Sequence, residues 1–477
     1  MNDGVARRAA QVIERAGQLL GRVAQNVDRL VVDVVRDARG VAADAEAFYQ
    51  ALAAQTRVGT SALRSTPRLA RILSETAWMA AAYHVSGPSE ALHRRCARRA
   101  HDLAAELRGP LLKVGQFASA RADLLPAAWV EELSRLQDRV PPVTSASILA
   151  RIDGELGDRR AALGEIDPEP LAAASLAQVH AATLEDGTRV VVKVQVPGIE
   201  DAVEADLAAL RLIAAVFDKS FPELGLPVVV AELDRAVRGE LDYRSEAVHA
   251  ARMEEILGGD RDLSVPQVYP ALSSDRVLTL ARIEGERLGD FLASAAAPAR
   301  DHVIATLIRT TAEQIFVHGC FQADPHPGNF LVVPTDDPAR PRLALLDFGC
   351  VATLDPPLRR AYARLSLALF TGDGAAAAAG LDALGFRSRD GDSDAVVRLA
   401  DAMLGALSRG ARADDPGFDP TAAMARAFEQ ARRHPVAAPS HFILIGRVLA
   451  TIGGLVFAHR PAIEPFALIA PALAAAC

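Results

Sequence analysis

The spacing of apolar residues predicts helices along the first third of the chain. Over residues 5–55, apolar side chains recur every three or four positions with charged residues between them, which is the period of one helix face. The same period returns from about residue 86 and continues to about residue 150. We therefore predict an N-terminal helical region over 1–85 and a helical extension over 86–150. An amphipathic helix of the first kind docks on protein or on a membrane interface, and we expect docking on protein.

Beyond residue 150 the pattern changes to alternating and β-branched runs. Leu176–Ala182 and Thr188–Gln195 are predicted strands, and Glu185-Asp186-Gly187 between them predicts a hairpin turn. The other predicted elements are helices over Asp201–Phe217 and about Val229–Leu257, strands over Pro266–Tyr269, Val277–Arg282, Asn329–Val333 and Leu343–Leu346, and helices elsewhere after Glu286. A strand-rich part before a helix-rich part predicts an α+β, two-lobed architecture, with one lobe over 151–285 and the other over 286–477.

The composition is that of a packed globular protein. Of the 477 residues, 50% are hydrophobic and 23% are charged, which does not fit a disordered chain. The formal net charge of −8 argues against a general nucleic-acid binder. The four cysteines lack paired spacing, and no secretory signal is visible, so we expect a reducing, cytoplasmic compartment. The apolar run Phe442–Ala458 is short for a membrane span and contains Arg447, which favours a buried helix.

Three short motifs occur in the order that a kinase-like phosphotransferase requires. Lys193 ends a β-branched run, as does the kinase lysine that grips the nucleotide phosphates. Asp324 and Asn329 have the spacing of a catalytic loop, in which the aspartate faces the acceptor and the asparagine holds a metal ion. Asp347 opens an Asp-Phe-Gly motif after an apolar run and would bind magnesium. Each motif is common alone, but together they predict an ATP-binding site with Mg²⁺.

The segment before the lysine strand departs from ordinary kinases. Ala172, Ala174 and Ala177 stand at the three positions of the kinase glycine loop. A Cβ restricts both positive φ and close backbone approach, so we expect a stiffer loop over the nucleotide with a different phosphate pose. The other residues of this predicted nucleotide-covering loop are Ala173, Ser175 and Val179.

These motifs together resemble the UbiB/AarF family of atypical kinases. The resemblance covers roughly residues 88–460 and lies in "LLKVGQ", "AAASLAQVH", "VVKVQ", "ELDYRSEA", "ADPHPGN" and "DFG", in that order. It implies a protein-kinase-like fold whose N-terminal helical extension packs over the active site. Lys113 and Gln116 match the family's KxGQ motif and would project toward the nucleotide pocket. Glu240 and Asp242 match its ExD motif, and Glu246, on the same predicted helix, is our candidate for an ion pair with Lys193.

Two departures change what the resemblance implies. Gln322 stands where the family usually has histidine, and because glutamine can hydrogen-bond but not titrate, we expect an effect on loop bracing rather than on metal chemistry. Helical pattern resumes by Pro356-Pro357, so no room remains for a long activation segment, and a protein acceptor is disfavoured. His318, Cys320, His326 and Cys350 lack metal-ligand spacing, which favours structural roles for them.

The sequence therefore predicts an atypical kinase or ATPase that acts on a small or lipid-like molecule. What the resemblance implies is a role in isoprenoid-quinone (ubiquinone-type) biosynthesis or lipid homeostasis, with a lipid or quinone precursor as partner and a peripheral contact with the inner face of the membrane. One alternative is a small-molecule kinase similar to the aminoglycoside phosphotransferases. Another is a nucleotide-binding scaffold without turnover. No nucleic-acid partner is expected.

Overall fold

The computed structural model describes residues 142–217, 226–388 and 439–476 without a break. It also describes 89–107 and 126–136, and parts of the stretches 68–87, 111–115, 392–401 and 436–437. The helix predicted over residues 5–55 lies outside the described residues, as do Lys113 and Gln116.

Helices and strands occur together in the described chain, which confirms the α+β class. The helices are α1 (Glu90–Leu107), α2 (Ala127–Leu133), α3 (Ser145–Leu156), α4 (Ile199–Phe217), α5 (Leu226–Glu240), α6 (Tyr243–Leu257), α7 (Leu288–Ser294), α8 (Ala297–Ala312), α9 (Pro356–Thr371), α10 (Gly374–Ala383), α11 (Ser440–His459) and α12 (Pro465–Ala476). The strands are β1 (Leu163–Ala173), β2 (Ala177–Leu184), β3 (Arg189–Gln195), β4 (Leu263–Ser264), β5 (Val277–Ala281), β6 (Glu286–Arg287), β7 (Cys320–Gln322), β8 (Phe330–Val333), β9 (Arg342–Leu345), β10 (Val351–Thr353), β11 (Arg387–Ser388) and β12 (Val436–Ala437).

The first sheet has the strand order β1-β2-β3-β5. The hairpin predicted between β2 and β3 is confirmed: the N–H of Gly187 donates to the carbonyl of Leu184, and Gly187 has a φ of +85° that favours glycine. The sequence pattern did not predict β1. This strand lies at the sheet edge, is mostly exposed and contains Pro168 and Pro170. An edge strand tolerates proline and needs no alternating pattern, so its sequence carried no strand signal.

The second four-stranded sheet has the order β4-β9-β8-β6, and a separate pair is formed by β7 and β10. The strands predicted around Asn329–Val333 and Leu343–Leu346 are confirmed as β8 and β9. The strand predicted over Pro266–Tyr269 is reduced to an isolated bridge between Val268 and Leu280. Because prolines lack a backbone N–H, the two that flank this short segment limit its pairing.

The single helix predicted over Val229–Leu257 is wrong, because the structure has two helices there, α5 and α6. The break lies at Leu241 and Asp242, and Asp242 Oδ1 accepts the N–H of Ser245 at 3.0 Å to cap α6. A side-chain cap of this kind competes with continuation of the preceding helix. Glu240 and Glu246 therefore lie on different helices, rather than one and a half turns apart on one helix.

The chain divides into two compact units. Unit 1 comprises Met1–Ala182, Val192–Leu241 and Asp275–Val277, and unit 2 comprises Thr183–Val191, Asp242–Ser274 and Leu278–Cys477. The division passes through the strands β2, β3 and β5. The core of unit 1 contains a cluster formed by Leu176, Ile199, Val203, Leu207, Leu233 and Val237. In unit 2, α8 buries most of its length, and Phe321 and Phe348 are among the largest fully buried side chains.

The apolar run near the C-terminus forms α11, a helix with one buried side as predicted. Phe442, Ile445, Val448 and Ile452 are buried, and their spacing follows the helical period. Among the described residues, no helix combines the length and the apolarity that a membrane crossing requires.

Candidate active site

Strand pairing in unit 2 brings two of the predicted motifs together. The Asp324 loop (residues 323–329) runs from β7 to β8, and the Asp347 loop (residues 346–350) runs from β9 to β10. Both strand pairs are antiparallel, with Gln322 opposite Val351 and Phe330 opposite Leu345. Each end of one loop is therefore held beside an end of the other, which places Asp324, Asn329 and Asp347 in one region.

Gln322 connects the two loops through both ends of its side-chain amide. Its Nε2 donates to the carbonyl oxygen of Asp347 at 2.5 Å, and its Oε1 accepts the N–H of Asp324 at 3.1 Å. Its own N–H donates to Oε1 of Gln314, which lies in the π-helical turn Glu313–His318 at the end of α8. Gln322 is only 3% exposed. Because a buried amide that donates and accepts at once is expensive to leave unsatisfied, this side chain braces the two loops.

The Asp324 loop is also closed by its own hydrogen bonds. Asn329 Nδ2 donates to the carbonyl oxygen of Asp324 at 3.0 Å, and the N–H of Leu346 donates to the carbonyl oxygen of Asn329 at 2.9 Å. His326 Nδ1 accepts the N–H of Gly328, so this ring nitrogen carries no proton. Asp324 and Asn329 are half-buried, each with its backbone fixed.

The Asp347 loop is fixed by a turn of its own and by α6. Asp347 Oδ1 accepts the N–H of Gly349 at 3.0 Å, and Phe348 is fully buried. His249 Nδ1 lies 3.2 Å from the carbonyl oxygen of Phe348, which can only accept, so Nδ1 carries the proton. This contact ties α6 to the Asp-Phe-Gly motif.

Glu246 also lies against the Asp347 loop. It is 1% exposed, on the buried side of α6, and a Cβ built on Gly349 would lie 3.9 Å from Glu246 Oε2 and 3.4 Å from Asp347 Oδ1. The structure thus brings the Glu246 carboxylate close to Asp347. The ion pair between Glu246 and Lys193 stays a prediction.

Asp242 serves as the N-cap of the helix that carries Glu246. Its Oδ1 accepts the backbone N–H of Ser245, and its Oδ2 accepts the Ser245 hydroxyl at 2.6 Å. The Ser245 hydroxyl and N–H hold the pKa of the Asp242 carboxyl below its usual range. Asp242 therefore orients the first turn of α6, and its predicted contact with nucleotide remains a prediction.

Sequence reasoning missed Arg447 as a neighbour of the two loops. Its Nε donates to the carbonyl oxygen of Ala323, and a second guanidinium nitrogen lies within hydrogen-bond distance of Cys350 Sγ, both at 2.8 Å. Burial raises the pKa of the Cys350 thiol, and the Arg447 guanidinium opposes this shift. The sequence does show a charged residue within an apolar helix. It does not show what this residue contacts, because Cys350 lies about a hundred positions earlier in the chain.

In unit 1, the alanine loop (residues 172–179) is anchored at Leu176, in the turn between β1 and β2. The N–H of Ala174 donates to the carbonyl oxygen of Ala177 at 2.8 Å, which closes the turn between β1 and β2. Leu176 is buried in the core cluster with α4 and α5, and its carbonyl accepts the N–H of Val196. Among the described non-glycine residues only Arg460 has a positive φ, so alanine fits this turn without strain. Ala172 and Ala174 are exposed, Ala173 and Val179 are half-buried, and Ser175 and Ala177 are buried.

The remaining predicted residues of unit 1 are placed only in part. Lys193 is half-buried near the end of β3, and Glu240 is half-buried at the end of α5. Of the KxGQ motif the structure describes Val114 and Gly115. Val114 packs against the core cluster that contains Leu176, so the described part of the motif lies close to the anchor of the alanine loop.

A buried ion pair holds the chain just before that motif. Asp206, on α4, is fully buried and accepts two hydrogen bonds of 2.6 Å from the guanidinium of Arg68 and one from the N–H of Leu111. Arg68 also donates to the carbonyl oxygen of Leu107. Burial raises the pKa of the Asp206 carboxyl, and Arg68 opposes the rise.

Comparison with known proteins identifies the family. The model of the ABC1 atypical kinase-like domain matches residues 135–380, which include the alanine loop, the Asp324 loop and the Asp347 loop. The chain belongs to this family. The resemblance to UbiB/AarF proteins predicted from the motifs is thereby confirmed, and so is the kinase-like fold.

Relatives of the ABC1/AarF family occur in plants and bacteria. The chain is 34% identical over 364 residues to an uncharacterized, chloroplastic aarF domain-containing protein kinase of Arabidopsis thaliana, with 75% of this chain and 50% of that protein covered. It is 38% identical over 277 residues to a probable protein kinase UbiB of Marinobacter nauticus, with 57% and 50% covered. The chain thus spans about half the length of these curated relatives.

A solved structure similar to this chain supports the fold. The protein Rv3197 of Mycobacterium tuberculosis, solved as a complex with erythromycin, is 25% identical to this chain. The similarity covers 77% of this chain and 92% of that one, with a TM-score of 0.53.

Proposed function

We propose that the chain binds ATP with Mg²⁺ and acts as an atypical phosphotransferase or ATPase. The observation that carries this proposal is the joining of the Asp324 and Asp347 loops by strand pairing and by the amide of Gln322. Phosphoryl transfer depends on positioning and electrostatic stabilisation, so a rigid frame for two carboxylates and one amide suits this chemistry.

The donor atoms of the region fit magnesium. Asn329 donates through Nδ2 to the carbonyl oxygen of Asp324, which leaves the amide oxygen as the end that would face a metal ion. Asp347 would supply carboxylate oxygen, and both are hard ligands of the kind Mg²⁺ prefers. Protein sites of this class usually supply one or two such groups, while phosphates and water complete the coordination. When bound, the ion would neutralise charge on the phosphate oxygens.

The other predicted residues receive roles in the same scheme. Asp324 would accept the proton of the acceptor hydroxyl or orient water, and Lys193 would hold the phosphates. The alanine loop would cover the nucleotide, with Glu240, Asp242 and Glu246 nearby. Lys113 and Gln116 would restrict access for a peptide acceptor, as the family resemblance implies.

A small or lipid-like acceptor is favoured over a protein. Only six residues separate Gly349 from Pro356, where α9 begins, so the chain has no long segment there for docking a peptide. The UbiB relatives support a role in isoprenoid-quinone biosynthesis or lipid homeostasis, with contact at a membrane surface. The erythromycin complex of Rv3197 supports the second candidate, a small-molecule kinase.

The nucleotide site is tested by the Asp347→Asn substitution. Loss of the carboxylate is expected to abolish the magnesium-dependent part of ATP binding, measured as the thermal shift with Mg²⁺ against the shift with a chelator. The matched control is Asp336→Asn, an exposed aspartate in the loop between β8 and β9, which should bind like the wild type. Equal ATP-Mg shifts for a folded Asp347→Asn protein and this control would refute the assignment.

The acceptor class is tested by measuring ATP turnover with a panel of additives. The panel contains phospholipid vesicles, polyprenyl phenols, a macrolide and an aminoglycoside. Stimulation by lipid or quinone precursors supports the leading function, whereas phosphate transfer to an antibiotic supports the small-molecule kinase. ATP binding without turnover under any condition would support a scaffold.

A further inference from the structure

Helix α11 contributes one charged side chain to the region between the two loops. Arg447 Nε donates to the carbonyl oxygen of Ala323, which directly precedes Asp324. The same guanidinium contacts Sγ of Cys350, which directly follows the Asp-Phe-Gly motif. The two contacts thus end on residues adjacent to both predicted functional motifs.

The two residues that Arg447 contacts are also joined to each other. The N–H of Ala323 donates to the carbonyl oxygen of Cys350 at 2.8 Å. Arg447, Ala323 and Cys350 therefore form a closed triangle of hydrogen bonds. A guanidinium is planar and presents its donors in a fixed fork, so it holds two acceptors at a defined separation better than a flexible ammonium does.

The triangle complements the amide bridge of Gln322. Gln322 joins the N–H of Asp324 to the carbonyl oxygen of Asp347, whereas Arg447 joins the residue before Asp324 to the residue after Gly349. The backbone pairing of β7 with β10 and of β8 with β9 does not involve Arg447. Removal of its side chain should therefore relax the loops without unfolding the unit.

Contacts far from the loops fix the helix that carries Arg447. Near its first turn, the ring of Phe442 meets that of Phe386 edge-on at 4.7 Å, and His441 Nδ1 lies 2.6 Å from the hydroxyl of Tyr362. These anchors belong to the part of unit 2 that follows the Asp347 loop. The helix that carries Arg447 is thus anchored by contacts outside the two loops.

We propose that Arg447 is a positioning residue that sets the separation of Asp324 and Asp347 for phosphoryl transfer. The inference rests on the proposed function for its catalytic consequence. Its structural consequence, a tie between two loops made by a C-terminal helix, does not depend on the nucleotide.

The test compares Arg447→Met with Arg364→Met, an exposed arginine on α9 of the same unit. Three quantities are measured: ATP-Mg binding by thermal shift, kcat and KM for ATP turnover, and amide hydrogen exchange along the chain. We expect Arg447→Met to lower kcat by about ten- to a hundredfold, the effect of misplacing a reacting group, with KM for ATP changed less than about threefold. Exchange should rise in segments 320–324 and 346–351 and stay unchanged elsewhere.

Two further variants keep the test decisive. Arg447→Lys should recover part of kcat, because an ammonium can reach one of the two acceptors. Cys350→Ala removes only one contact and should give a smaller loss with increased exchange in the same two segments, which keeps the proposal testable if Arg447→Met does not fold.

Three results would overturn the proposal. One is a kcat within about twofold of the Arg364→Met control, a difference too small for a positioning role. Another is increased exchange throughout unit 2, which would indicate a general structural role. A third is unchanged exchange in both segments for a folded Arg447→Met protein. If the wild type neither binds nor turns over ATP, the proposed function fails, and the exchange data alone then decide whether Arg447 ties the loops.

Discussion

The alanine loop of unit 1 and the paired loops of unit 2 are held in place by different forces. The alanine loop is anchored by the apolar side chain of Leu176, buried between α4 and α5, and by one backbone hydrogen bond from Val196 to the carbonyl of Leu176. The Asp324 and Asp347 loops are fixed by directed hydrogen bonds from Gln322 and Arg447. Hydrophobic burial is non-directional, whereas hydrogen bonds weaken steeply with angle. Burial of Leu176 therefore keeps its chain segment close to the core, whereas the hydrogen bonds from Gln322 and Arg447 fix the positions of individual backbone atoms in the two loops.

This difference matches what each region would have to do. Oxygen ligands of magnesium must lie within a few tenths of an ångström of octahedral positions, which requires directed bonds. A loop that covers a nucleotide has to approach and withdraw, which a non-directional anchor allows. Unit 1 also contains a directed side-chain contact, the Arg68–Asp206 pair, which holds the chain at Leu111, just before the KxGQ motif, rather than the alanine loop.

The largest expected effect comes from breaking that buried ion pair. Asp206→Ala leaves the guanidinium of Arg68 without its buried carboxylate and should lower the free energy of unfolding by about 3–5 kcal/mol, measured by urea denaturation. The double replacement Arg68→Met/Asp206→Leu should recover most of the loss. Glu255→Ala, which removes an exposed partner of Arg252, should leave the free energy of unfolding nearly unchanged. If Asp206→Ala lowered the free energy of unfolding no more than Glu255→Ala does, the Arg68–Asp206 pair would not be a stabilising contact of unit 1.

The next effect tests the amide bridge. Gln322→Leu leaves the part-buried N–H of Asp324 and carbonyl of Asp347 without their partner, so we expect a loss of about 1–3 kcal/mol in thermal or urea unfolding and reduced ATP turnover. Gln322→His, which offers one donor and one acceptor at neutral pH, should restore most of both. Gln267→Leu, at an exposed position, is the matched control. Equal stability of the two leucine variants would mean that Gln322 does not brace the loops.

A smaller effect is expected in the alanine loop. Ala174→Gly increases the freedom of the unfolded chain and should destabilise the protein by about 0.5–1 kcal/mol. Because Ala174 is exposed and its N–H donates within the turn itself, we expect a larger relative change in ATP or ADP affinity than in stability. Ala296→Gly, at a capping position outside the predicted site, controls for the change of residue type. Titrations of Ala174→Gly that overlay the wild type would show that this loop does not cover the phosphates.

The smallest expected effect is a difference in pH dependence between the two units. Burial lowers the pKa of His441 in unit 2 below its ordinary value. Below about pH 6.5 the unfolded state therefore binds more protons than the folded state does. The free energy of unfolding consequently decreases as the pH falls from about 6.5 through the folded-state pKa. The raised pKa of Asp206 in unit 1 has the opposite sign: its contribution falls as the pH rises above the ordinary aspartate value. His441→Gln should reduce the loss of melting temperature between pH 7.5 and 5, and His459→Gln on the same helix should not. An unchanged acid slope in His441→Gln would contradict the assignment.

Local patterns predicted much of the fold, but contacts distant in sequence were not accessible. The β2–β3 hairpin, β8, β9 and α4 followed from alternation, turn residues and helical period. The prediction failed where a polar side chain redirected the backbone, as Asp242 does between α5 and α6, and where an exposed edge strand needs no pattern, as in β1. The catalytic-loop spacing and the Asp-Phe-Gly motif predicted Asp324, Asn329 and Asp347 as site residues. The Arg447 contacts could not be predicted, because no local rule links a helix residue to a carbonyl 124 positions away.

That separation has a consequence for the order in which the region is completed during synthesis. The β8–β9 hairpin and the β7–β10 pair join residues at most 33 positions apart, so they can close soon after they leave the ribosome, from which a chain emerges N-terminus first at roughly 5–20 residues per second. Arg447 follows Cys350 by 97 positions and reaches the exit several seconds later. We therefore expect a nascent chain to hold paired loops for some seconds before the last tie between them can form.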